Sequence, residues 1–247
     1  MPVTPAHAAA AWPLKKVFPR LPLSALVIGT MSPDYEYFLR LAPITRVAHT
    51  LAGFVFFCLP VSIAVWWVFR RLVRPALVEL LPPGLARQLG PASTSWTLAF
   101  VAVTLGALSH IAWDGFTHQN DWAVRALPLL RSVPLPTLLP LPWYKLLQYA
   151  SSVAGLALVA TWVVTWIRAQ PARALAWPPT DRRHALIVVG LVLIASAIGA
   201  VADSLLSPRH TWQIDLGRAA VGAMVGCSAS AVAYAVIRRA TAGRVLI

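Results

Sequence analysis

Two histidines and an aspartate near the middle of the chain are spaced so that they could bind one metal ion. His110, Asp114 and His118 follow one another at intervals of four residues, at the end of a long apolar run. Four residues are slightly more than one turn of an α-helix, so each side chain is rotated by only about 40° from the previous one. The three side chains would therefore share one stripe of a helix. Imidazole and carboxylate groups arranged in this way are typical of zinc sites.

No other catalytic motif in the sequence competes with this one. The Gly-x-Ser-x-Gly elbow of serine hydrolases is absent, and so are the phosphate-binding Walker loop and the dinucleotide-binding fingerprint. Cys58 and Cys227 both lie within apolar runs. We therefore expect each cysteine to be a small buried hydrophobic residue rather than half of a disulfide or a metal ligand.

The elements that carry these residues belong to an integral membrane protein. Hydrophobic residues make up 58% of the chain and charged residues only 12%, and the mean hydropathy is +0.69, whereas a soluble domain has about 25% charged residues. The net charge of +13 does not indicate nucleic-acid binding, because the basic residues lie in short loops between apolar runs, as they do at cytoplasmic membrane flanks. The excess of Arg over Lys is typical of a GC-rich bacterial source.

Five apolar segments are candidates for crossing a bilayer, which requires about 20 residues in a helix. The predicted spans are residues 51–69, 97–113, 152–167, 185–205 and 219–237. We therefore predict an all-α polytopic membrane protein that forms a single integral-membrane domain over residues 1–247. Residues 1–50 contain many prolines and should form only short helices. The apolar stretch Leu23–Met31 is too short to span and is expected to be buried or re-entrant, and the N-terminus lacks the basic region of a signal peptide.

Counting the spans places further candidate ligands beside the central motif. Two predicted spans separate residues 1–50 from residues 114–143, so both segments should lie at the same face of the membrane. His7, Asp34, Glu36 and His49 therefore join the candidate site, since ionisable groups at a membrane edge are energetically costly and tend to be functional. Taken singly, Asp34 is also explained as a turn former, and His7 as an incidental surface residue. The loop 206–218 returns to this face too, and a plain loop role is favoured for its His210.

The orientation follows from arginines that directly flank the predicted spans on the opposite face. They are Arg70, Arg71, Arg168, Arg182, Arg183, Arg238 and Arg239. By the positive-inside rule these residues are cytoplasmic, so we expect the candidate site at the extracytoplasmic face of a bacterial cytoplasmic membrane. Residues 119–143 are rich in Pro and Leu, and we expect them to be non-helical and to cover the site or lie in the lipid interface.

Four stretches of the sequence together carry a resemblance to a known family. They are Thr-Pro-Ala-His-Ala-Ala around His7, Leu-Ser-Ala-Leu-Val-Ile-Gly-Thr-Met-Ser-Pro-Asp-Tyr-Glu-Tyr-Phe from Leu23 to Phe38, His-Thr-Leu-Ala-Gly from His49, and Ser-His-Ile-Ala-Trp-Asp-Gly-Phe-Thr-His from Ser109 to His118. They resemble an uncharacterised family of bacterial integral-membrane proteins that is similar to predicted membrane-bound metal-dependent hydrolases. This resemblance covers most of the chain.

The order of the candidate ligands resembles a second, more distant group, the zinc-dependent phospholipases C and fungal single-strand nucleases. That order is His7, Asp34, His49, His110-x-x-x-Asp114, His118. The resemblance implies that Asp114 bridges two metal ions, that His7 binds one, and that Asp34, His49 and His110 bind the other, while His118 begins a third site. The chain lacks the further His-x-x-x-Glu/Asp pair that a third metal needs, so a mono- or dinuclear site is expected.

The sequence thus predicts a membrane-embedded zinc-dependent hydrolase, with manganese or iron as alternative metals. Phosphoester bonds in a lipid or lipid-linked substrate are the expected target, with Asp34 as ligand or base and Glu36 as a weaker candidate for the base. One alternative is a non-enzymatic, metal-stabilised membrane scaffold or accessory protein. Against it, a closed structural zinc site has four ligands, and the sequence offers more candidate ligands than that. Another is a transporter, although the ligands lie at a membrane edge rather than in mid-span.

Overall fold

The computed structural model describes residues 3–89, 95–176, 178–206 and 211–242. It is 80% helical and has no strand within these ranges, which confirms the all-α prediction. Five helical segments are long and apolar enough to cross a membrane, as the sequence predicted: Leu51–Glu79, Trp96–Ala126, Trp143–Arg168, Asp181–Leu205 and Ile214–Thr241. The second of them consists of the helix Trp96–Thr117 and the short helix Trp122–Ala126 that follows it. Most of their apolar side chains face outward, where lipid rather than water would cover them. The chain is therefore a candidate multi-pass membrane protein. His210 lies outside the described residues.

The helices are numbered along the chain. They are α1 (Ala11–Val17), α2 (Leu23–Met31), α3 (Tyr35–Arg40), α4 (Leu51–Glu79), α5 (Pro83–Gln88), α6 (Trp96–Thr117), α7 (Trp122–Ala126), α8 (Trp143–Arg168), α9 (Pro179–Leu205) and α10 (Trp212–Ala242). Short 3₁₀ helices occupy Thr4–Ala10, Ser32–Asp34, Pro128–Arg131 and Ala172–Ala174. The long helices extend beyond the predicted spans, because charged and polar residues at a membrane edge stop a hydropathy window without stopping a helix.

Helix α4 passes through two prolines without ending. Pro60 and Pro75 have no backbone N–H to donate to the carbonyl one turn earlier. Each carbonyl that loses this partner lies within a π-helical turn, at Phe54–Cys58 and at Phe69–Val73. The wider turns absorb the missing hydrogen bonds, so Pro60 perturbs the helix locally instead of dividing it.

The chain divides into two compact units. The first comprises Met1–Tyr35, Arg46–Ile63 and Thr94–Ile167, and the second comprises Glu36–Thr45, Ala64–Ser93 and Arg168–Ile247. The single integral-membrane domain stays a prediction.

In the first unit, α2 packs closely against α6 through glycines. A Cβ atom on Gly29 would lie 2.5 Å from the carbonyl oxygen of Val103, and one on Gly106 would lie 2.6 Å from that of Leu26. Leu26 and Val103 are fully buried at this contact. The predicted helix Leu23–Met31 is thus present and largely buried, and its C-terminal end is held against the middle of α6.

The segment after α6 differs from the sequence prediction, which had residues 119–143 non-helical. It contains α7 and the 3₁₀ helix Pro128–Arg131, because α7 ends before the first proline of the segment. Ala123 and Val124 of α7 are fully buried and pack with Leu130 and Tyr144. The segment is therefore folded back onto the first unit.

In the second unit, α9 and α10 pack as a pair through small residues, as expected for membrane helices. A Cβ atom on Gly226 would collide with the carbonyl of Ala195, and Gly199 and Gly222 face one another equally closely. Asp203 and Arg218 form an ion pair of 2.8 Å between the two helices. Cys227 is exposed on α10, so the expectation that it is buried was wrong. An apolar run does not show which of its residues are buried, because outward-facing positions of a membrane helix are as apolar as inward-facing ones.

Candidate metal centre

Helix α6 holds the first two members of the site. His110 and Asp114 are one turn apart, and His110 Nε2 lies 3.2 Å from Asp114 Oδ2. Both residues are about 1% exposed. The helix ends at Thr117, and His118 has an extended backbone conformation with φ −119° and ψ 133°. The predicted stripe is therefore present for His110 and Asp114, but His118 does not continue it.

The N-terminal part of the chain brings Asp34 and His49 to the same place. Asp34 Oδ1 lies 3.5 Å from His110 Nε2, and His49 Nε2 lies 3.3 Å from Asp114 Oδ2. One ligand atom from each of Asp34, His49, His110 and Asp114 lies within 4.8 Å of the other three. These four residues could hold a metal ion. This supports the predicted metal site, while zinc as the metal stays a prediction.

The distances between these atoms fit ligands better than hydrogen bonds. Hydrogen bonds between an imidazolium and a carboxylate are about 2.7–2.9 Å long, whereas the three closest nitrogen–oxygen pairs here measure 3.2, 3.3 and 3.5 Å. A tetrahedral metal with bonds of about 2.0–2.1 Å separates its ligand atoms by about 3.3–3.4 Å. The three closest pairs are thus spaced like ligand atoms around a common centre, and all four atoms lie within 4.8 Å of one another.

The hydrogen bonds of His110 also suit a ligand. Its Nδ1 lies 2.8 Å from the carbonyl oxygen of Thr30, and since a carbonyl can only accept, Nδ1 carries the proton. In the neutral ring the lone pair is then on Nε2, which faces Asp34 and Asp114. Metal-bound histidines are typically oriented by such a bond on the other nitrogen. The contact with Thr30 could not be predicted from the sequence, because a backbone carbonyl leaves no side-chain pattern.

Several buried polar atoms of the site lack a hydrogen-bond partner among the described residues. They are Nε2 of His7, Nε2 of His110 and both carboxylate oxygens of Asp34. Leaving a buried polar group unsatisfied costs about 1–3 kcal/mol, and more for a charged one. Four such atoms at one point are unusual in a native fold. A cation held by Asp34, His49, His110 and Asp114 would satisfy Nε2 of His110 and the carboxylate of Asp34, so the residues present fit a metal ion.

His7 lies next to the four-residue set. Its ring stacks on that of His110 with centroids 3.7 Å apart, and its Nε2 lies 3.5 Å from Asp114 Oδ1. Burial, followed by repulsion from His110, lowers the pKa of His7 to about 3. His7 is therefore a neutral imidazole at physiological pH, which is the form that binds metals. The two oxygens of Asp114 face different histidines, as a bridging carboxylate would require.

Burial also decides the charge of Asp34, which is fully enclosed. Its enclosure, and to a smaller extent the nearby Asp114, raise the pKa of Asp34, while His110 acts in the opposite direction. The resulting pKa is about 6, against an ordinary value of 3.8. Without a cation, the ionised carboxylate is thus unfavourable in this position.

The loop that carries His49 is fixed by the beginning of α4. Thr50 caps the helix by accepting a hydrogen bond from the backbone N–H of Gly53 at 2.9 Å. A Cβ atom on Gly53 would collide with the carbonyl of Val47, so glycine allows the loop to lie against the helix. Cys58 is buried, as predicted, and its thiol donates to the carbonyl of Ala48 at 3.2 Å. These contacts set the position of His49.

The 3₁₀ helix that carries His7 is fixed by α8. The backbone N–H of Val3 donates to Ser152 Oγ at 3.2 Å. A Cβ atom on Gly155 would lie 2.7 Å from the carbonyl oxygen of Ala6, so this glycine permits the close approach of the two segments. His7 is thereby held beside His110.

Two further predicted site residues do not belong to the four-residue set. His118 is partly exposed, and its Nδ1 lies 3.1 Å from the backbone oxygen of Asp114 and 3.6 Å from Oδ2 of the same residue. Glu36 belongs to the second unit, where its carboxylate is paired with Arg40 at 2.6 Å and accepts from Thr45 at 2.9 Å. Local partners thus account for the buried position of Glu36, and its catalytic role stays a prediction.

Comparisons with known proteins identify a family. No curated protein and no solved structure matches the chain, so the resemblance to hydrolases and phospholipases C stays a prediction. The family that matches is described as a domain of unknown function, DUF4184, and the match covers residues 1–236. This range includes every candidate ligand and reaches into the last helix. Because the match extends over far more than half of the sequence, the chain belongs to the DUF4184 family.

Proposed function

We propose that the protein is a membrane-embedded metal-dependent hydrolase whose metal is held by Asp34, His49, His110 and Asp114. The observation that carries the proposal is the convergence of two imidazoles and two carboxylates, three of these residues being buried, with ligand atoms within 4.8 Å of one another. Their closest nitrogen–oxygen pairs measure 3.2–3.5 Å. Zinc suits two nitrogen and two carboxylate ligands and can expand to a fifth position, which a hydrolase needs for water or substrate, and manganese or iron are the alternatives.

Phosphoester hydrolysis is the reaction that we assign to this site. A divalent metal bound there would supply Lewis-acid activation of water and of phosphoryl oxygens. Asp34 would bind the metal through one carboxylate oxygen, which leaves its other oxygen able to accept a proton. His7 borders the set as a neutral imidazole and can hydrogen-bond a substrate oxygen.

A lipid or lipid-linked substrate is supported by a cavity that reaches His7. The cavity has a volume of about 210 Å³ and lies between α6 and α8, where Ser109 and Trp113 face Ser151 and Gly155. Both helices are candidate membrane spans. The remaining lining residues are apolar apart from His7 itself, so an acyl or isoprenoid chain fits this cavity better than a water-soluble substrate.

The test is a hydrolysis assay on the full chain purified in detergent. Wild type loaded with zinc should hydrolyse a chromogenic phosphodiester and a lipid phosphodiester, and Asp114→Asn should abolish both activities together with metal binding. The matched control is Asp121→Asn, which removes an acid near the site whose carboxylate is 39% exposed. Zinc-loaded wild type without activity on either substrate would refute the hydrolase.

One observation favours a second function, the metal-stabilised scaffold. Structural zinc sites are closed sets of four protein ligands, and four residues form the set here. A scaffold would bind zinc stoichiometrically, lose thermal stability in chelator, and show no hydrolysis. The assay above therefore separates the two functions.

A further inference from the structure

The second unit contains a groove between the C-terminal parts of α4 and α10 that differs in character from the metal centre. Its volume is about 650 Å³. Ala76 and Ala235 form the floor and are almost fully buried, while Arg71, Arg238 and Arg239 lie along the rim with Glu79. Small residues at the contact between the helices and long residues beside it create the groove.

Among the described residues, only one of the three arginines that line the groove has an acidic partner. Arg238 is paired with Glu79, at 2.7 Å. Arg71 and Arg239 are exposed, and within the described part of the chain neither forms an ion pair. Two guanidinium groups are therefore available to one ligand, and a guanidinium binds a phosphate group through two parallel hydrogen bonds.

The groove changes from apolar to charged along its length. Trp67, which is 48% exposed, lies one turn before Arg71 on α4, and Leu72 lines the same wall. From Trp67 to Glu79 the helix advances by about 18 Å. Tryptophan is typical of the membrane–water interface, and arginines near span ends are typical of its cytoplasmic side. The groove therefore matches a molecule with an acyl chain at one end and a phosphate at the other.

The backbone of α4 supports this arrangement. Arg71 lies in the π-helical turn Phe69–Val73, which occurs where Pro75 cannot donate to the carbonyl of Arg71. A π-turn adds a residue to the helical turn and so rotates the side chains that follow, and such turns are frequent at functional sites. In the same segment Arg74 donates to the carbonyl of Leu89.

We propose that this groove binds the head group of one anionic phospholipid, with Arg71 and Arg239 on its phosphate and Trp67 beside its acyl chains. The site is independent of the metal centre. Basic pockets between membrane helices commonly bind anionic lipids on the cytoplasmic side. A free phosphate would use the same arginines but would gain nothing from the apolar end.

The experiment is native mass spectrometry of the full chain in a non-ionic detergent, titrated with phosphatidylglycerol or phosphatidylcholine. Wild type should bind one phosphatidylglycerol in preference to phosphatidylcholine. The double variant Arg71→Gln, Arg239→Gln should bind phosphatidylglycerol roughly ten- to thirty-fold more weakly, as expected for the loss of two arginines at a membrane surface. Inorganic phosphate should not displace the lipid at concentrations that leave the protein intact.

The matched control is Arg182→Gln, Arg183→Gln, which removes the same charge from exposed arginines at the start of α9 in the same unit. It should bind phosphatidylglycerol like wild type. Equal affinity of wild type for the two lipids, or an equal loss in the two double variants, would overturn the proposal. Displacement by inorganic phosphate would show a phosphate site instead of a lipid site and would overturn it as well.

Discussion

His110 is the residue on which the candidate metal centre depends most, since its two ring nitrogens have different roles. Nδ1 donates to Thr30 at 2.8 Å, and Nε2 faces Asp34 and Asp114. The four-residue spacing predicted the approach of His110 to Asp114, because helical periodicity is a local property. It did not predict the end of α6 at Thr117, because the fold of the following segment sets where the helix ends. The role of His118 as a ligand stays a prediction.

The first residue-scale prediction contrasts the two histidines of α6. His110→Ala should weaken zinc binding by more than about 100-fold, beyond the 10- to 100-fold that loss of a hydrogen-bond partner of a ligand typically causes. His118→Ala should change the zinc affinity by less than about tenfold, since His118 lies outside the four-residue set. Competition with a zinc-binding dye measures both variants. A loss in His118→Ala as large as that in His110→Ala would contradict the assignment.

The second residue-scale prediction concerns pH and Asp34. A pKa raised from 3.8 to about 6 means that the folded metal-free protein holds this proton more tightly than the unfolded chain does. The metal-free fold is therefore destabilised as the pH rises from about 4 through 6, by up to about 3 kcal/mol. Asp34→Asn in chelator should raise Tm at pH 7.5, and should raise it by roughly half as much at pH 5.

With zinc added at pH 7.5, the Tm of wild type should instead exceed that of Asp34→Asn, because only the aspartate supplies a charged ligand. Thermal unfolding in detergent, followed by tryptophan fluorescence, gives the Tm values with and without zinc. Equal Tm of wild type and Asp34→Asn in chelator at both pH values would contradict the buried, unfavourable carboxylate.

At the scale of elements, the site depends on the contact between α2 and α6. Gly29 and Gly106 let the helices approach closely enough for Thr30 to reach His110 and for Asp34 to lie beside it. The sequence predicted Leu23–Met31 as a buried helix from its length and apolarity. It did not predict the partner of this helix, because a glycine in an apolar run indicates a close contact without saying with what.

We expect Gly106→Ala to separate these helices. Its Cβ would lie 2.6 Å from the oxygen of Leu26 and 2.7 Å from the backbone nitrogen of Thr30, so α2 must shift away from His110. Stability should fall by about 1–3 kcal/mol, and zinc affinity should fall roughly 10- to 100-fold. Gly190→Ala is the control, since nothing lies within 4 Å of its added Cβ. Wild-type zinc affinity in Gly106→Ala would show that the contact does not position the site.

At the scale of the whole molecule, composition and hydropathy predicted the five long helices, and these are confirmed. Span counting also anticipated that His7, Asp34 and His49 would meet α6, although the chain separates His7 and His110 by more than a hundred residues. Hydropathy could not predict the turns that set the ligand distances, such as the 3₁₀ turn Ser32–Asp34 and the cap of α4 at Thr50. Those distances arise from hydrogen bonds and glycine contacts between distant segments.

Topology can be tested with reporter fusions. If all five candidate spans cross the membrane, we expect residues 1–50 and the end of α10 at opposite faces, and by the positive-inside rule we expect the end of α10 at the cytoplasmic face. A reporter active only in the periplasm should be inactive when fused after Ile247 and active when inserted in the loop between α7 and α8. Activity at both positions would contradict the number of spans, and the reverse pattern would contradict the orientation.

The metal content of the purified protein tests the central claim most directly. The full chain, purified in detergent without added chelator and supplied with zinc, should carry at least one tightly bound ion per chain by elemental analysis. Asp114→Asn should carry none while unfolding cooperatively, and Asp121→Asn should match wild type. A correctly folded wild type that binds no metal in stoichiometric amount would contradict the metal centre, and with it both the hydrolase and the metal-stabilised scaffold.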